Sequence, residues 1–249
     1  MADSPPAARS RPPAFYGLSG GGWRAWWTVL HPPYTAWHLS YVVIGSVLAP
    51  RPSVTVLLAS LGAFFLAVGV AAHALDELHG RPLGTDLGRR SLLLAAAVGL
   101  AGAVVLGALG VARQGPVLVP FIACGVLVAV AYNVELWGGA LHNDLVFALA
   151  WGGFPVLTAY VAQARSLSVA AAVAAVAAVG LSLAQRALSS PARLLRRRTR
   201  RVEGRVELVD GTTRRLDEAV LLLPLERALS ALSVSTVAFA VALAVDRLA

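Results

Sequence analysis

Ser53–Leu75 reads SVTVLLASLGAFFLAVGVAAHAL, and the chain then turns abruptly polar through Asp76, Glu77, His79, Gly80 and Arg81. An apolar run of this length, with no charged face, crosses roughly 30 Å of hydrocarbon as a helix rising about 1.5 Å per residue. A helix of a soluble protein would keep a polar stripe toward water. Six more stretches have the same character: Tyr34–Leu48, Ser91–Ala112, Pro116–Leu136, Leu145–Ala164, Ser168–Leu188 and Ala219–Val245. The fold expected is therefore all-α, a polytopic membrane bundle of about seven transmembrane helices. The first stretch is short and borrows from His31–Pro33. The last holds Pro224, Glu226 and Arg227 near its start, which predicts an interfacial turn and a kink at the proline.

Composition agrees. The 249 residues are 57% hydrophobic and 14% charged, with a mean hydropathy of +0.71; a soluble domain carries about 25% charged residues. All 21 basic residues are arginine. The absence of lysine excludes Schiff-base chemistry, and with it a lysine-linked retinal protein. The formal net charge of +8 is concentrated in one loop, which points to anionic lipid rather than to nucleic acid. The single cysteine, Cys124, lies in an apolar run and reads as a buried inert thiol, so no intrachain disulfide is expected.

Residues 1–22 are rich in Pro, Ser and Gly and lack an apolar signal core, so they read as a disordered cytoplasmic tail. Residues 23–249 form one transmembrane domain, entered through Trp23, Arg24, Trp26 and Trp27 at headgroup level. Arginine placement orients the chain. Arg81, Arg89 and Arg90 lie between the second and third stretches, and nine arginines from Arg193 to Arg215 lie between the sixth and seventh, whereas the other side has Arg51, Arg113, Arg165 and Arg247. The N-terminus is expected in the cytoplasm and the C-terminus outside, in the plasma membrane of a prokaryote. Residues 194–217 are a basic cytoplasmic loop. Leu194–Arg201 would lie on lipid headgroups, and the alternation of Val202, Val206 and Leu208 around Asp210-Gly211 predicts a small β-hairpin.

Ionisable groups at membrane depth are costly and mark candidate sites. One cluster closes the second stretch, where His73, Asp76 and Glu77 share a helix face at i, i+3 and i+4. Another joins the fourth and fifth stretches through Tyr132, Asn133, Glu135, His142, Asn143 and Asp144. Such carboxylates suit Mg²⁺ bound together with a diphosphate, and histidine with carboxylate suits Zn²⁺ or iron. Capping of helix ends and pairing with arginine is the plainer alternative.

Ala72-His73-Ala74-Leu75-Asp76 followed by Arg81-Pro82-Leu83 resembles the first signature of the UbiA superfamily of intramembrane prenyltransferases. Tyr132, Asn143-Asp144-Leu145 and Trp151-Gly152-Gly153-Phe154-Pro155 are similar to that family's passage from the fourth to the fifth span. The resemblance covers roughly Trp26 to Arg193. It implies a UbiA-like bundle around a cytoplasm-facing cavity, with Asp76 and Glu77 as metal ligands for Mg²⁺ and with His73, Tyr132 and Glu135 as further catalytic groups. It implies substrate contacts from Arg81, Asn133, Asn143, Asp144, Gln185, Arg186 and Arg193. Departures are clear. His73 stands for one signature aspartate and Gly80 for another, and the place of the second acidic motif, Ala184–Arg193, holds no carboxylate. There Arg186 and Arg193 could bind phosphate directly by bidentate contacts. The function implied is binding of, or action on, an isoprenoid or other lipid (di)phosphate, including prenyl transfer. A non-catalytic lipid- or partner-binding protein on the same scaffold, with the arginine-rich loop as a possible partner site, is the main alternative. A solute carrier or a haem or metal protein using His38, His73 and His142 is the third.

Overall fold

The computed structural model describes residues 12–249, so the start of the expected N-terminal tail lies outside the described residues. Among the described residues, six helices are long and apolar enough to cross a membrane. In chain order the elements are α1 (Trp23–Leu30), α2 (Pro32–Val47), α3 (Val54–Leu78), α4 (Arg89–Gln114), α5 (Pro116–Asn133), α6 (Asp144–Ala164) and α7 (Val169–Arg198), followed by β1 (Gly204–Glu207), β2 (Thr213–Leu216) and α8 (Glu218–Leu248). The six are α3 to α8. The place of the first expected crossing is taken by α2, which has 16 residues and is about 24 Å long at helical rise, short of the roughly 20 residues that hydrocarbon requires.

Pro32 and Pro33 explain where α1 stops and α2 begins. Proline suits the first helical positions and disfavours helix in the residue before it. His31 accordingly takes a left-handed backbone, φ 47°, between the two helices. α2 then enters the middle of the bundle against α6 and α8. Trp37, Tyr41 and Val42 are buried, and the Trp37 indole donates to the Tyr41 hydroxyl at 2.5 Å. At Gly45 a side chain would collide with the Val156 carbonyl of α6, and at Gly152 one would meet the Ala178 carbonyl of α7 at 2.7 Å. Helices α2, α6 and α7 thus touch backbone to backbone, the close packing that small residues allow in lipid.

Three helices carry π-helical turns: Phe65–Ala72 in α3, Leu149–Gly153 in α6 and Leu194–Arg198 in α7. Such turns are uncommon and gather at functional sites. α7 therefore continues as helix to Arg198 instead of giving way to a loop at Leu194. α8 runs through Pro224 as one helix of 31 residues, capped by Asp217, which accepts from the Val220 N–H at 3.1 Å. Cys124 is exposed on α5, not buried. The expected hairpin is present, with β1 and β2 antiparallel and Arg205 directly opposite Arg215. At its turn Asp210 accepts from the Thr212 hydroxyl at 2.7 Å and from its N–H at 2.9 Å, and these bonds hold the carboxyl below its ordinary pKa.

The two ends of the bundle differ. At one, Arg165 donates to Gln114 and to the Arg113 carbonyl, and Arg247 donates to the Val47 and Ala49 carbonyls. These guanidiniums take up carbonyls left over where helices end. At the other end lie the connections 79–88, 134–143 and 199–217, and the first two help to line a cavity.

Candidate functional site

The cavity has a volume of about 760 Å³ and is lined from every side of that end: by 13–16 before α1, His31 between α1 and α2, Tyr34 and His38 of α2, His73 and Asp76 of α3, Tyr132 of α5, Trp151 of α6, and a run of α7 residues. That volume suits a small-molecule or headgroup site.

On α3 the π-helical turn ends at His73, whose Nδ1–H donates to the Gly69 carbonyl at 3.2 Å. Asp76 follows one turn later. It lines the cavity and has neither a hydrogen bond nor an ion pair among the described residues. Glu77 points elsewhere. It is 0% exposed, and its carboxyl oxygens accept from the Leu83 N–H at 3.0 Å, the Thr85 N–H at 2.9 Å and the Thr85 hydroxyl at 2.8 Å. It anchors the 79–88 loop beneath the cavity and is not part of the lining. Arg81 reaches the cavity edge, but its guanidinium is held by the Leu87 carbonyl at 2.6 Å and the Thr85 carbonyl at 3.3 Å, across a backbone with φ 53°.

On α5 the Tyr132 ring stacks on His142 at 4.5 Å and lies 4.6 Å from Trp151. Its hydroxyl is buried without a partner. His142 donates Nδ1–H to the Tyr132 carbonyl at 3.2 Å. Glu135 sits at the rim, 3.6 Å from His79 and 3.8 Å from His142. Asn133 also lines the cavity, though its amide donates back to Ala129 at 2.7 Å. Asn143 and Asp144 do not line it. Asn143 caps α6 by accepting from the Val146 N–H at 3.0 Å. Asp144 accepts from Arg186 at 2.7 Å, and that guanidinium also lies over the Phe147 ring.

The opposing wall is α7. Gln185, Ser189, Arg193 and Arg197 recur at every fourth residue, the spacing of one helix face. Gln185 Oε1 and Ser189 Oγ are buried and unpartnered. Arg193 donates to the Ser190 hydroxyl at 3.2 Å and Arg197 to the Pro13 carbonyl at 3.0 Å. Neither has a carboxylate partner among the described residues. Arg196 does: it pairs with Glu226 of α8, with one bond at 2.7 Å, and so holds the end of α7 in place.

The expected disordered tail extended to Gly22, yet its described part lies against the bundle. Tyr16 is half-buried and its hydroxyl hydrogen bonds to His31, the Trp27 indole donates to the Tyr16 carbonyl at 3.1 Å, and Phe15 packs against the cluster of Ala192, Leu222 and Leu229. Burial raises the Tyr16 pKa well above the ordinary phenol value, and the nearby Tyr34 adds to that. Burial, aided by His73 and the arginines Arg197 and Arg193, lowers His31 well below the ordinary imidazole value. The ring of His31 lies 4.6 Å from that of His73.

Tyr16, His31, Tyr34 and Arg197 are the lining residues that motif reading misses. The His31-Pro32-Pro33 break and the four-residue stripe from Gln185 to Arg197 are the signals that could have found three of them. Mg²⁺ on Asp76 and Glu77 does not fit this donor set. Glu77 is committed to the loop, and among the described residues no group of three His, Cys, Asp or Glu side chains is placed to hold a metal.

No known protein family, curated protein or solved structure matches the chain.

Proposed function

We propose that this membrane protein binds a lipid or isoprenoid phosphate or diphosphate in the cavity, on a diverged UbiA-like scaffold whose arginine-rich end faces the cytoplasm. The observation that carries the reading is the pair Arg193 and Arg197: two guanidiniums lining one cavity, neither in an ion pair with a carboxylate among the described residues. Guanidinium–phosphate contacts are charge-assisted and geometrically specific, and the unpartnered Gln185 and Ser189 lie along the same stripe. A diphosphate held there would share the cavity with Asp76 and Tyr132, the groups that remain for prenyl transfer. The donor set favours binding over metal-assisted transfer, because one unengaged carboxylate does not replace two acidic motifs.

The test is a titration of the purified protein with a long-chain prenyl diphosphate and with its monophosphate, with and without Mg²⁺, following both binding and diphosphate release. Binding that is weakened by Arg193→Gln and indifferent to Mg²⁺ is the expected result. Release that requires Mg²⁺ and Asp76 would instead establish a working transferase or lyase. Absence of binding to either lipid would overturn the reading.

A further inference from the structure

The two walls of the cavity are chemically opposite. The α7 wall offers donors, the guanidiniums of Arg186, Arg193 and Arg197. The facing wall offers acceptors. His38 donates Nδ1–H to the Trp151 carbonyl at 2.9 Å, and His73 and His142 donate Nδ1–H to the carbonyls of Gly69 and Tyr132. A carbonyl can only accept, so in the neutral ring this tautomer leaves each Nε2 as an acceptor. Asp76 adds an acceptor-only carboxylate without a partner among the described residues.

We propose that the acceptor wall, centred on Asp76, takes a primary ammonium group, so that the ligand is a lipid whose headgroup joins a phosphate to an amine. This rests on the phosphate reading of the α7 wall and adds the second half of the headgroup. An unpaired, desolvated carboxylate is costly unless a cation or donor meets it. Arginines line the same cavity, yet none is paired with Asp76. Arg193 and Arg197 act on Asp76 only through space, and among the described residues no donor bonds its oxygens, so a cation in direct contact comes with the ligand. An ammonium carries three donors and suits a cluster of acceptors. The rings of Tyr16, Tyr34, Tyr132 and Trp151, which also line the cavity, add π faces that attract a cation. A neutral polyol headgroup would satisfy the acceptors but bring no cation into contact with Asp76.

The experiment is a lipid competition on the full-length protein in detergent, read by native mass spectrometry. Its ligands are phosphatidylethanolamine, N-acetyl-phosphatidylethanolamine, phosphatidylglycerol and phosphatidic acid. The amine lipid is expected to bind about tenfold more tightly than its N-acetyl form and than phosphatidylglycerol, the difference a charged hydrogen bond makes. Asp76→Asn is expected to erase that preference while leaving phosphatidic acid unaffected, and Arg193→Gln to weaken all four lipids together. Equal binding of the amine and N-acetyl lipids to the wild-type protein would overturn the ammonium site even if Asp76→Asn failed to fold. A preference that survives Asp76→Asn would overturn the role of Asp76. If Arg193→Gln changed nothing, or if no lipid bound, the phosphate reading would fall and this inference with it.

Discussion

Both ends of the bundle carry arginine, and they use it differently. At the far end Arg165 and Arg247 are held by backbone carbonyls and Gln114, so their donors are already engaged. At the cavity end Arg193 and Arg197 each make one contact and line an open space. The same side chain is a helix-end brace in one place and a candidate anion site in the other. Composition does not separate the two roles; the partners of each guanidinium do.

That contrast can be broken most directly by removing the charges. The double change Arg193→Gln and Arg197→Gln is expected to weaken prenyl phosphate or phospholipid binding about a hundredfold, measured by lipid titration, whereas Arg165→Gln and Arg247→Gln should leave affinity unchanged. Equal losses at both ends would mean that net charge, not the cavity, attracts the lipid.

Neighbouring carboxyls on α3 sharpen the same distinction. Glu77→Ala removes the acceptor of three bonds at a fully buried site and is expected to cost about 3 kcal/mol, seen as a fall in melting temperature. Asp76→Asn, one residue earlier, removes a desolvated carboxylate that has no bond to lose among the described residues, and in the lipid-free protein it is expected to leave melting temperature unchanged or to raise it.

The pH response of the cavity end has a defined sign. His31 has a depressed pKa in the folded protein. Above the ordinary value of 6.5 both folded and unfolded rings are neutral, and stability is full. As pH falls below 6.5, the unfolded ring takes up a proton while the buried one resists, so stability declines until the folded pKa is reached. Melting temperature measured from pH 7.5 to pH 5 (roughly one unit either side of an ordinary histidine) should therefore fall, and His31→Gln should flatten the slope.

A modest effect belongs to the far end. Arg247→Gln gives up two bonds to carbonyls near the end of α2 and is expected to cost about 1 kcal/mol in stability, with no change in lipid affinity.

Six of the seven expected crossings could be read from sequence, because hydrocarbon imposes length and apolarity on each span. Residues His73, Asp76, Tyr132, Gln185, Arg186 and Arg193 could be singled out because polar groups stand out against such spans, and the structure gathers all six around one cavity. The different fate of Glu77 could not be read. It shares a face with His73 by spacing, and only the fold of the 79–88 loop shows that backbone N–H groups occupy it. Asn143 and Asp144 fail as lining residues for a similar reason: one is taken by the α6 N-terminus, the other by Arg186. The contribution of Tyr16 was hidden because a proline- and glycine-rich segment has no periodicity to report where it packs. Arg197 was hidden because a basic run after an apolar helix looks like a loop, whereas it continues the helix as a π-helical turn in which Arg196 pairs with Glu226, 30 residues away.

The glycine contacts at Gly45 and Gly152 bear on how the cavity opens. Because α2, α6 and α7 meet there without intervening side chains, these three walls behave as a welded frame, with no compressible layer between its beams. A ligand too wide for the cavity would therefore enter by displacing the 12–18 segment, fastened at the cavity mouth by the bond from Arg197 to Pro13 and by its contacts with α1, His31 and α8, rather than by spreading the frame.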